Sequence, residues 1–442
     1  MNYKTRPTRI LLLLSLILLS SLASAQVMTL DQAIKQGVDN NRQLKISGYK
    51  VALAETKYKE AVDLTLPSLK ASAGYTRLSD VDEPKIQFPG LPEPISLFPV
   101  YVNNYSAKVS LSETVFSGFR LKYAMESQRL LQQATKMDAG KDHDDVVFNI
   151  INAYFNIYKL EESIRIVDEN LRALDQRIGE SQKMEQQGIL LHNDVLKLQL
   201  QRSNTELTQI DLKNNLSIAT YNFNILIGNI EKSTIEVDSS VVKEMDSLKP
   251  LDEFISDALK NRSDLQAMNT RNKSMENNLK IAKNSYYPQL AVAANYYDSR
   301  PNPRVIPPED KFVTTWDAGI VLSWDLMNLY SNKHNISDSR IQLQQSEETI
   351  HQMEDGIKME VNQDYLACQQ SKQKIEVMQS GLTQAEENYR ILNSRFNSSL
   401  ALMSDLVDGN AALLQAKINL TLTKADACLN YYKLMKATGN LK

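Results

Sequence analysis

A long stretch in the first half of the chain repeats its apolar residues every three or four positions, with one step of seven. The residues are Ile150, Tyr154, Ile157, Ile164, Val167, Leu171, Leu174 and Ile178, and the spacing is that of a helix packed along a seam. No strong helix breaker interrupts residues 120–187, which predicts one helix on the order of 100 Å long. Gly188 interrupts the pattern, and a second helix is predicted for residues 193–226. Away from the seam these segments are rich in Asn, Gln, Ser and Lys, so one side can face water.

Shorter segments alternate apolar and polar residues, as strands with one covered face do. The clearest alternations set Tyr105, Ala107, Val109 and Leu111 against Ser106, Lys108, Ser110 and Ser112, and Trp316, Ala318, Ile320 and Leu322 against Asp317, Gly319, Val321 and Ser323. Residues 68–78 and 289–298 alternate less cleanly. Each segment has about ten residues and aromatic residues near its ends, which favours strands that cross a membrane. A hairpin packed on a soluble core is the alternative.

The chain consists of two copies of one unit. Residues 30–75 align without a gap on 251–296, and residues 111–228 align on 322–439. The copies differ in length only between these stretches, where the prolines cluster at positions 84–99 and 301–308. Each copy is therefore predicted to be a helix, a β-hairpin and a long helix pair. The first repeat spans residues 26–228 with its hairpin at about 68–114, residues 229–250 form a linker, and the second repeat spans 251–442 with its hairpin at about 289–326.

The N-terminus is predicted to be a secretory signal peptide covering residues 1–25. Lys4, Arg6 and Arg9 precede an apolar run, Ile10–Leu19, and small residues follow at positions 23–25, which is the pattern of an exported chain. After residue 25 no stretch approaches the ~20 apolar residues of a membrane-spanning helix. The mature chain is thus expected to be soluble, peripheral, or embedded through strands.

Charge and cysteine content narrow the class of protein further. Removing the three signal-peptide cations changes the formal net charge from −3 to −6, and this mildly acidic balance argues against a nucleic-acid partner. Cys368 and Cys428 are the only cysteines, too few for a disulfide scaffold, and the sequence leaves open whether they pair. No motif for catalysis, a cofactor or a metal is present, so we expect no enzyme activity and no cofactor.

Four strands cannot close a membrane barrel by themselves. Eight is about the minimum, and open strand edges are excluded from lipid because their backbone groups have no partner there. If the strands cross the membrane, several chains must share one barrel. Two chains would give eight strands and a filled lumen, whereas three would give twelve and an opening; the sequence does not fix the number.

Several segments resemble the TolC-like outer membrane efflux protein family over residues 28–439. The features that carry the likeness are the doubled unit, Leu30-Asp31 at its start, Pro67 and Pro288 between helix and strand, residues 109–119 (VSLSETVFSGF), and residues 396–408 (FNSSLALMSDLVD). The resemblance implies an α+β membrane protein of long α-helices, in which each protomer gives four strands to a shared trimeric twelve-stranded barrel above a twelve-helix tunnel. It also implies an outer-membrane location with the helices in the periplasm. The implied partners are a periplasmic adaptor and an inner-membrane pump of the resistance-nodulation-division or ABC type.

The resemblance also suggests an aperture. In the family, carboxylates just after the second helical turn narrow the periplasmic entrance, and Asp405 and Asp408 occupy that place here. Residues three apart share a helix face, so a trimer would carry six carboxylates around its axis, a cation-attracting ring. An ordinary solvated helix start is the alternative. Asp194 matches a gate-linking acid, with Lys197 three residues on, while the tip Arg and Tyr that latch the family's closed state fall on Ala401 and Phe396.

The two helical turns are the predicted adaptor-docking tips. They are Gly188, Ile189 and Leu190 in the first copy and Ser399, Leu400 and Ala401 in the second. Apolar residues at such tips favour a partner groove, and a plain helix–helix turn is the alternative. The predicted function is therefore an outer-membrane export conduit for drugs or other substrates; a non-conducting periplasmic scaffold or adaptor and a type I secretion duct are the alternatives.

Overall fold

The computed structural model describes residues 27–82, 85–96, 99–229, 235–242 and 248–441. The predicted signal peptide, residues 1–25, lies outside these ranges. The chain divides into two compact units. The first contains the described residues of Met1–Gly48, Asp138–Gln266 and Met353–Lys442, and the second contains those of Tyr49–Met137 and Ala267–Gln352. Each unit thus draws on both sequence repeats.

Helices account for most of the described chain and recur in the same order in each repeat. In the first repeat they are α1 (Leu30–Asn40), α2 (Arg42–Asp63), α3 (Arg120–Gln186) and α4 (His192–Leu226). In the second they are α5 (Leu251–Asn261), α6 (Ser263–Asn284), the short α7 (Asn328–Ser331), α8 (Lys333–Asn397) and α9 (Met403–Ala437). The long helices predicted for residues 120–187 and 193–226 are confirmed as α3 and α4. None of the helices in the described ranges is apolar over a length that would span a membrane.

The core of the first unit follows the predicted seam of α3. Ile150, Tyr154 and Ile157 are completely buried and pack with Phe223 of α4 and Ala425 of α9. Ion pairs link the four long helices of this unit to one another. Those contacts are Arg202 with Asp175 between α4 and α3, Lys159 with Asp426 between α3 and α9, and Lys433 with Asp364 between α9 and α8.

Equivalent positions of the two repeats make the same contact at the end of each repeat's last helix. Gly228 and Gly439 follow α4 and α9 with φ of +74° and +68°, a left-handed conformation that favours glycine. A Cβ at Gly228 would lie 2.5 Å from Cβ of Asn40, and one at Gly439 would lie 3.0 Å from the backbone of Asn261. Asn40 and Asn261 are themselves equivalent in the repeat. The duplication is therefore visible as duplicated packing.

Both cysteines lie in the first unit, where both side chains are buried and neither belongs to a disulfide. Burial, together with the nearby Asp364 carboxylate, raises the pKa of the Cys368 thiol to about 12. Since the thiolate is the reactive form, this thiol is expected to be inert. The open question of pairing is thus resolved in favour of two separate thiols.

The second unit contains an antiparallel sheet of four strands, which are, in their order across the sheet, β2 (Ser68–Arg77), β5 (Asn103–Phe116), β7 (Gln289–Arg300) and β8 (Val313–Ser323). The other strands of the described ranges are two-residue pairs. The first unit has β1 (Val27–Met28) with β6 (Glu236–Val237), and the second has β3 (Lys85–Ile86) with β4 (Ile95–Ser96). The hairpins predicted at about 68–114 and 289–326 are present, and β5 pairs with β7 to join them. Within the described residues, β2 and β8 each have one unpaired edge.

The register of this sheet separates two chemically different faces. One face is mainly apolar and aromatic, with Leu69, Tyr75, Val109, Leu111, Tyr296, Trp316, Ile320 and Leu322. The other is polar: Lys70, Ser72, Lys108, Ser110, Asn295, Tyr297, Thr315 and Asp317. Leu69, Trp316, Ile320 and Leu322 are at least two-thirds exposed in the single chain. An exposed apolar sheet face of this kind requires a nonpolar surrounding.

Candidate aperture and docking tips

The two predicted tips have the same backbone geometry. In the first, Gly188 N–H donates to the Glu185 carbonyl (2.8 Å) and Ile189 N–H donates to the Met184 carbonyl (2.9 Å). In the second, Ser399 N–H donates to the Phe396 carbonyl (2.9 Å) and Leu400 N–H donates to the Arg395 carbonyl (2.7 Å). Both are Schellman motifs, which place one residue in the left-handed region. That residue is Gly188, with φ +72°, and Ser399, with φ +60°.

The two tips therefore predict opposite responses to substitution. Gly188→Ala is expected to lower the free energy of unfolding by about 1 kcal/mol, because a Cβ disfavours the left-handed conformation. Space is not the reason, since no atom lies within 4 Å of a Cβ built there. Ser399→Gly relieves the same strain and is expected to raise the free energy by roughly 0.5 kcal/mol after the added freedom of the unfolded chain is subtracted. Urea unfolding followed by circular dichroism measures both changes.

The matched control is Gly179→Ala, inside α3. This glycine also has open space around its Cβ position, but its backbone is helical. Alanine there is expected to stabilise by about 1 kcal/mol through helix propensity. If Gly188→Ala stabilised the protein as Gly179→Ala does, the strain assigned to the tip would be wrong.

A small apolar cluster lies beneath the tips and ties together all four long helices. Its buried members are Leu174, Leu198, Phe396, Met403 and Leu406, and Leu190 and Ala401 pack against it. Phe396 and Ala401, the positions at which the resemblance would place a latch Tyr and Arg, both belong to this apolar packing. A polar latch at these two positions is thereby excluded.

Four leucine and isoleucine side chains project from the tips into solvent. Ile189 and Leu400 are 55% and 68% exposed, as the docking prediction requires. Leu191 and Leu402, which sequence reasoning missed, are 72% and 69% exposed. They stand directly before α4 and α9 at equivalent positions of the repeat. Their equivalence was the signal that could have identified them.

Asp405 and Asp408 lie in the first two turns of α9 and are both exposed. The Asp405 carboxylate accepts a hydrogen bond from Leu402 N–H (3.4 Å) and so caps the helix start. Leu406, between them, is buried in the apolar cluster, which turns both carboxylates to the same open side. Gly409 follows, and a Cβ there would lie 2.7 Å from Cδ1 of Leu392, so α9 and α8 approach closely beside the carboxylates.

Asp194 occupies the corresponding turn of α4 but is differently placed. Its carboxylate forms an ion pair with Lys197 at 3.3 Å and is only about one-fifth exposed. Lys197 follows Asp194 by three residues, which places both side chains on one face of α4. Asp194 therefore adds little negative charge to the side that Asp405 and Asp408 present.

Arg177 of α3 makes polar contacts across to α8 near the tips. Its guanidinium donates to the side-chain oxygens of Asn393 and of Asn397, and it forms an ion pair with Glu180 at 3.1 Å. These contacts join α3 to α8 beside Phe396.

Known proteins share this fold. The sequence profile described as outer membrane efflux protein matches residues 33–229 and 254–440. No curated protein sequence matches. Among solved structures, CusC shares 18% identity with a TM-score of 0.78, over 93% of this chain and 92% of that one. The outer membrane protein VceC of Vibrio cholerae shares 14% with a TM-score of 0.77, over 93% and 97%. The Campylobacter jejuni outer membrane channel CmeC shares 14% with a TM-score of 0.75, over 93% and 86%.

At these identities the solved structures show a common fold, and the profile match covers both sequence repeats. The two-repeat helical fold with its four-stranded sheet agrees with that assignment. This chain belongs to the outer membrane efflux protein family, whose members act in efflux as outer-membrane channel-tunnels with a periplasmic helical part.

Proposed function

We propose that three copies of this chain close into one conduit that receives cargo from a periplasmic adaptor and an inner-membrane pump. The observation that carries the proposal is that each compact unit, taken alone, leaves two open sides. In the first unit these are the outer faces of α4 and α8, and in the second they are the free edges of β2 and β8.

Helix α4 is apolar on two opposite faces, and only one of them is covered. Val195, Leu198 and Phe223 are buried in the unit. A second stripe points away and is exposed: Leu196, Leu200, Leu207, Ile210, Ile218, Tyr221 and Ile225. At ~100° per residue this stripe fits within about 80° of arc, opposite the buried face. An uncovered apolar stripe along a whole helix is the form of a helix-packing surface.

Helix α8 repeats this arrangement on the other side of the unit. Ile357, Val361 and Cys368 are buried, whereas Met359, Leu366, Val377 and Ile391 are exposed. By the same count the exposed residues fall on one narrow face, opposite the buried one. The α8 stripe of one chain is thus a fitting cover for the α4 stripe of the next.

The free edges of the four-stranded sheet also favour pairing between neighbouring chains. Its free edges are β2 and β8, and an open edge in lipid leaves backbone groups unpaired. Pairing β8 of one chain with β2 of the next, and α8 with α4, is a head-to-tail contact that closes into a ring. Three chains of four strands give a twelve-stranded barrel, the size that leaves an opening and the number found in the family.

Closure of three chains would assign a role to the exposed carboxylates of α9 and to the exposed apolar residues of the two tips. In a ring of three chains Asp405 and Asp408 would supply six carboxylates at the periplasmic aperture, where they would attract cations. Ile189, Leu191, Leu400 and Leu402 would offer the adaptor an apolar surface that is otherwise exposed to water. The duct itself does no chemistry, and the pump supplies energy and selects cargo.

Membrane fractionation separates this function from that of a non-conducting periplasmic scaffold. The protein is expected to stay in the outer-membrane pellet after washing with carbonate and with urea, and to run as a trimer of the 50.1 kDa chain, less its signal peptide, in detergent. Release of the protein by either wash would favour the scaffold, which needs no barrel.

A further inference from the structure

The polar face of the sheet carries unbalanced positive charge. Lys70 on β2 and Lys108 on β5 both lie on this face. Lys70 pairs with Ser110 and Lys108 pairs with Ser72, so the two lysines are diagonal neighbours, with backbone positions about 7–8 Å apart. In the described residues, neither ammonium has a carboxylate within ion-pair distance. Like charges on neighbouring strands repel each other, so the lysine pair itself does not stabilise the sheet.

Among the described strand residues, one carboxylate lies on the same face, and it is already engaged. Asp317 on β8 accepts hydrogen bonds from the Asn295 amide (2.7 Å) and from the Arg304 guanidinium (2.6 Å). The face therefore carries three cations, Lys70, Lys108 and Arg304, against one anion. The net charge of this face is therefore +2 per chain. That sum is the same whether Asp317 pairs with a cation of its own chain or with one of a neighbouring chain.

Tyr297 holds two of these cations without cancelling their charge. The Arg304 guanidinium lies 4.1 Å from the centre of the Tyr297 ring, and the Lys108 ammonium lies 5.2 Å from it. An aromatic face attracts a cation through its quadrupole and carries no net charge. The ring of Tyr297 thus holds Lys108 near the sheet without neutralising its positive charge, which can still attract an anion in front of the polar face.

We propose that Lys70 and Lys108 form an anion-attracting collar in the strand section of the conduit and that they help to set its charge selectivity. This inference rests on the proposed closure of three chains, which turns the polar face inward and gathers six lysines around the lumen. The collar is opposite in sign to the Asp405 and Asp408 ring. Organic anions, or the anionic groups of larger cargo, would be favoured in this section of the path.

Reversal potentials in a KCl gradient test the collar. Lys70→Gln/Lys108→Gln is expected to raise the ratio of potassium to chloride permeability roughly two- to threefold at low salt, with little change at 1 M, where charges are screened within about 3 Å. Lys70→Arg/Lys108→Arg keeps the charge and should leave the ratio unchanged. Arg304→Gln/Asp317→Asn removes one charge of each sign and should also have little effect. An open channel whose ratio is the same in the glutamine variant and the wild type would overturn the proposal.

A second measurement needs no current. Lys108→Cys places a thiol on the polar face, and the native cysteines are buried. Anionic and cationic methanethiosulfonate reagents would then report the local potential as the ratio of their labelling rates. Lys70→Gln in this background should lower the anionic-to-cationic ratio roughly two- to threefold, whereas Lys70→Arg should not. An unchanged ratio would overturn the collar even if the channel conducts, and absence of conductance in every variant would instead count against the conduit.

Discussion

Changing Leu207 and Ile218 to glutamate is expected to convert the trimer into monomers. Both side chains lie on the exposed stripe of α4, opposite its buried face. Burying a leucine or isoleucine contributes about 1.5–3 kcal/mol, and a glutamate in its place would bring an unpaired charge into the seam, at two positions in each of three interfaces. Multi-angle light scattering of the purified protein in detergent measures the change in mass.

The control for this variant is Asn204→Glu/Asn215→Glu. These residues are also exposed on α4, but they lie on its flank, roughly 70–90° from the middle of the stripe at ~100° per residue. Both variants add two negative charges per chain, so general repulsion is matched. Circular dichroism should give the same helix content for both, because the stripe does not contribute to packing within one chain. A trimer that survives with glutamate at positions 207 and 218 would show that α4 is not the seam.

Changing Asp405 and Asp408 to asparagine is expected to weaken both cation selectivity and block by a trivalent cation. The double change removes all six carboxylates of the proposed ring, and a multivalent cation loses attraction at each of them. We expect the blocking affinity of hexaamminecobalt(III) added to the periplasmic side to fall at least about tenfold, or ~1.4 kcal/mol. The measurement is single-channel current against blocker concentration.

Charge-retaining substitution is the control for the ring. Asp405→Glu/Asp408→Glu keeps six carboxylates and should preserve block within a fewfold range. Asp194→Asn changes a carboxylate that is already paired with Lys197. We therefore expect it to weaken block less than Asp405→Asn/Asp408→Asn does. Equal block in the asparagine variant and the wild type would reject the ring and leave the duct untouched.

The long helices could be predicted from the sequence almost to the residue. The expected span of residues 120–187 is Arg120–Gln186, and the expected 193–226 is His192–Leu226. The seam of α3 has one apolar face, so its period is easy to read. The exposed stripe of α4 was missed because this helix has two apolar faces on opposite sides. Apolar residues on opposite faces do not give the single 3.6-residue periodicity by which an amphipathic helix is recognised.

Other features of the fold could not be predicted from hydrophobic periodicity. The pairing of β1 with β6 involves only two residues on each side, too few to show alternation. Strand β5 runs on to Phe116 through a register shift after Thr114, and such a bulge breaks the period of two. At the candidate site the sequence located both turns and both carboxylates. It could not show that Phe396 is buried or that Leu191 and Leu402 are exposed, since these depend on how four helices meet.

Conductance across a planar lipid bilayer tests the central claim most directly. The purified wild-type protein is expected to insert and give discrete, long-lived current steps that favour cations, and this cation preference should weaken when Asp405 and Asp408 are changed to Asn. A protein that is inserted and trimeric but passes no current, in the wild type and in that variant alike, would contradict the conduit.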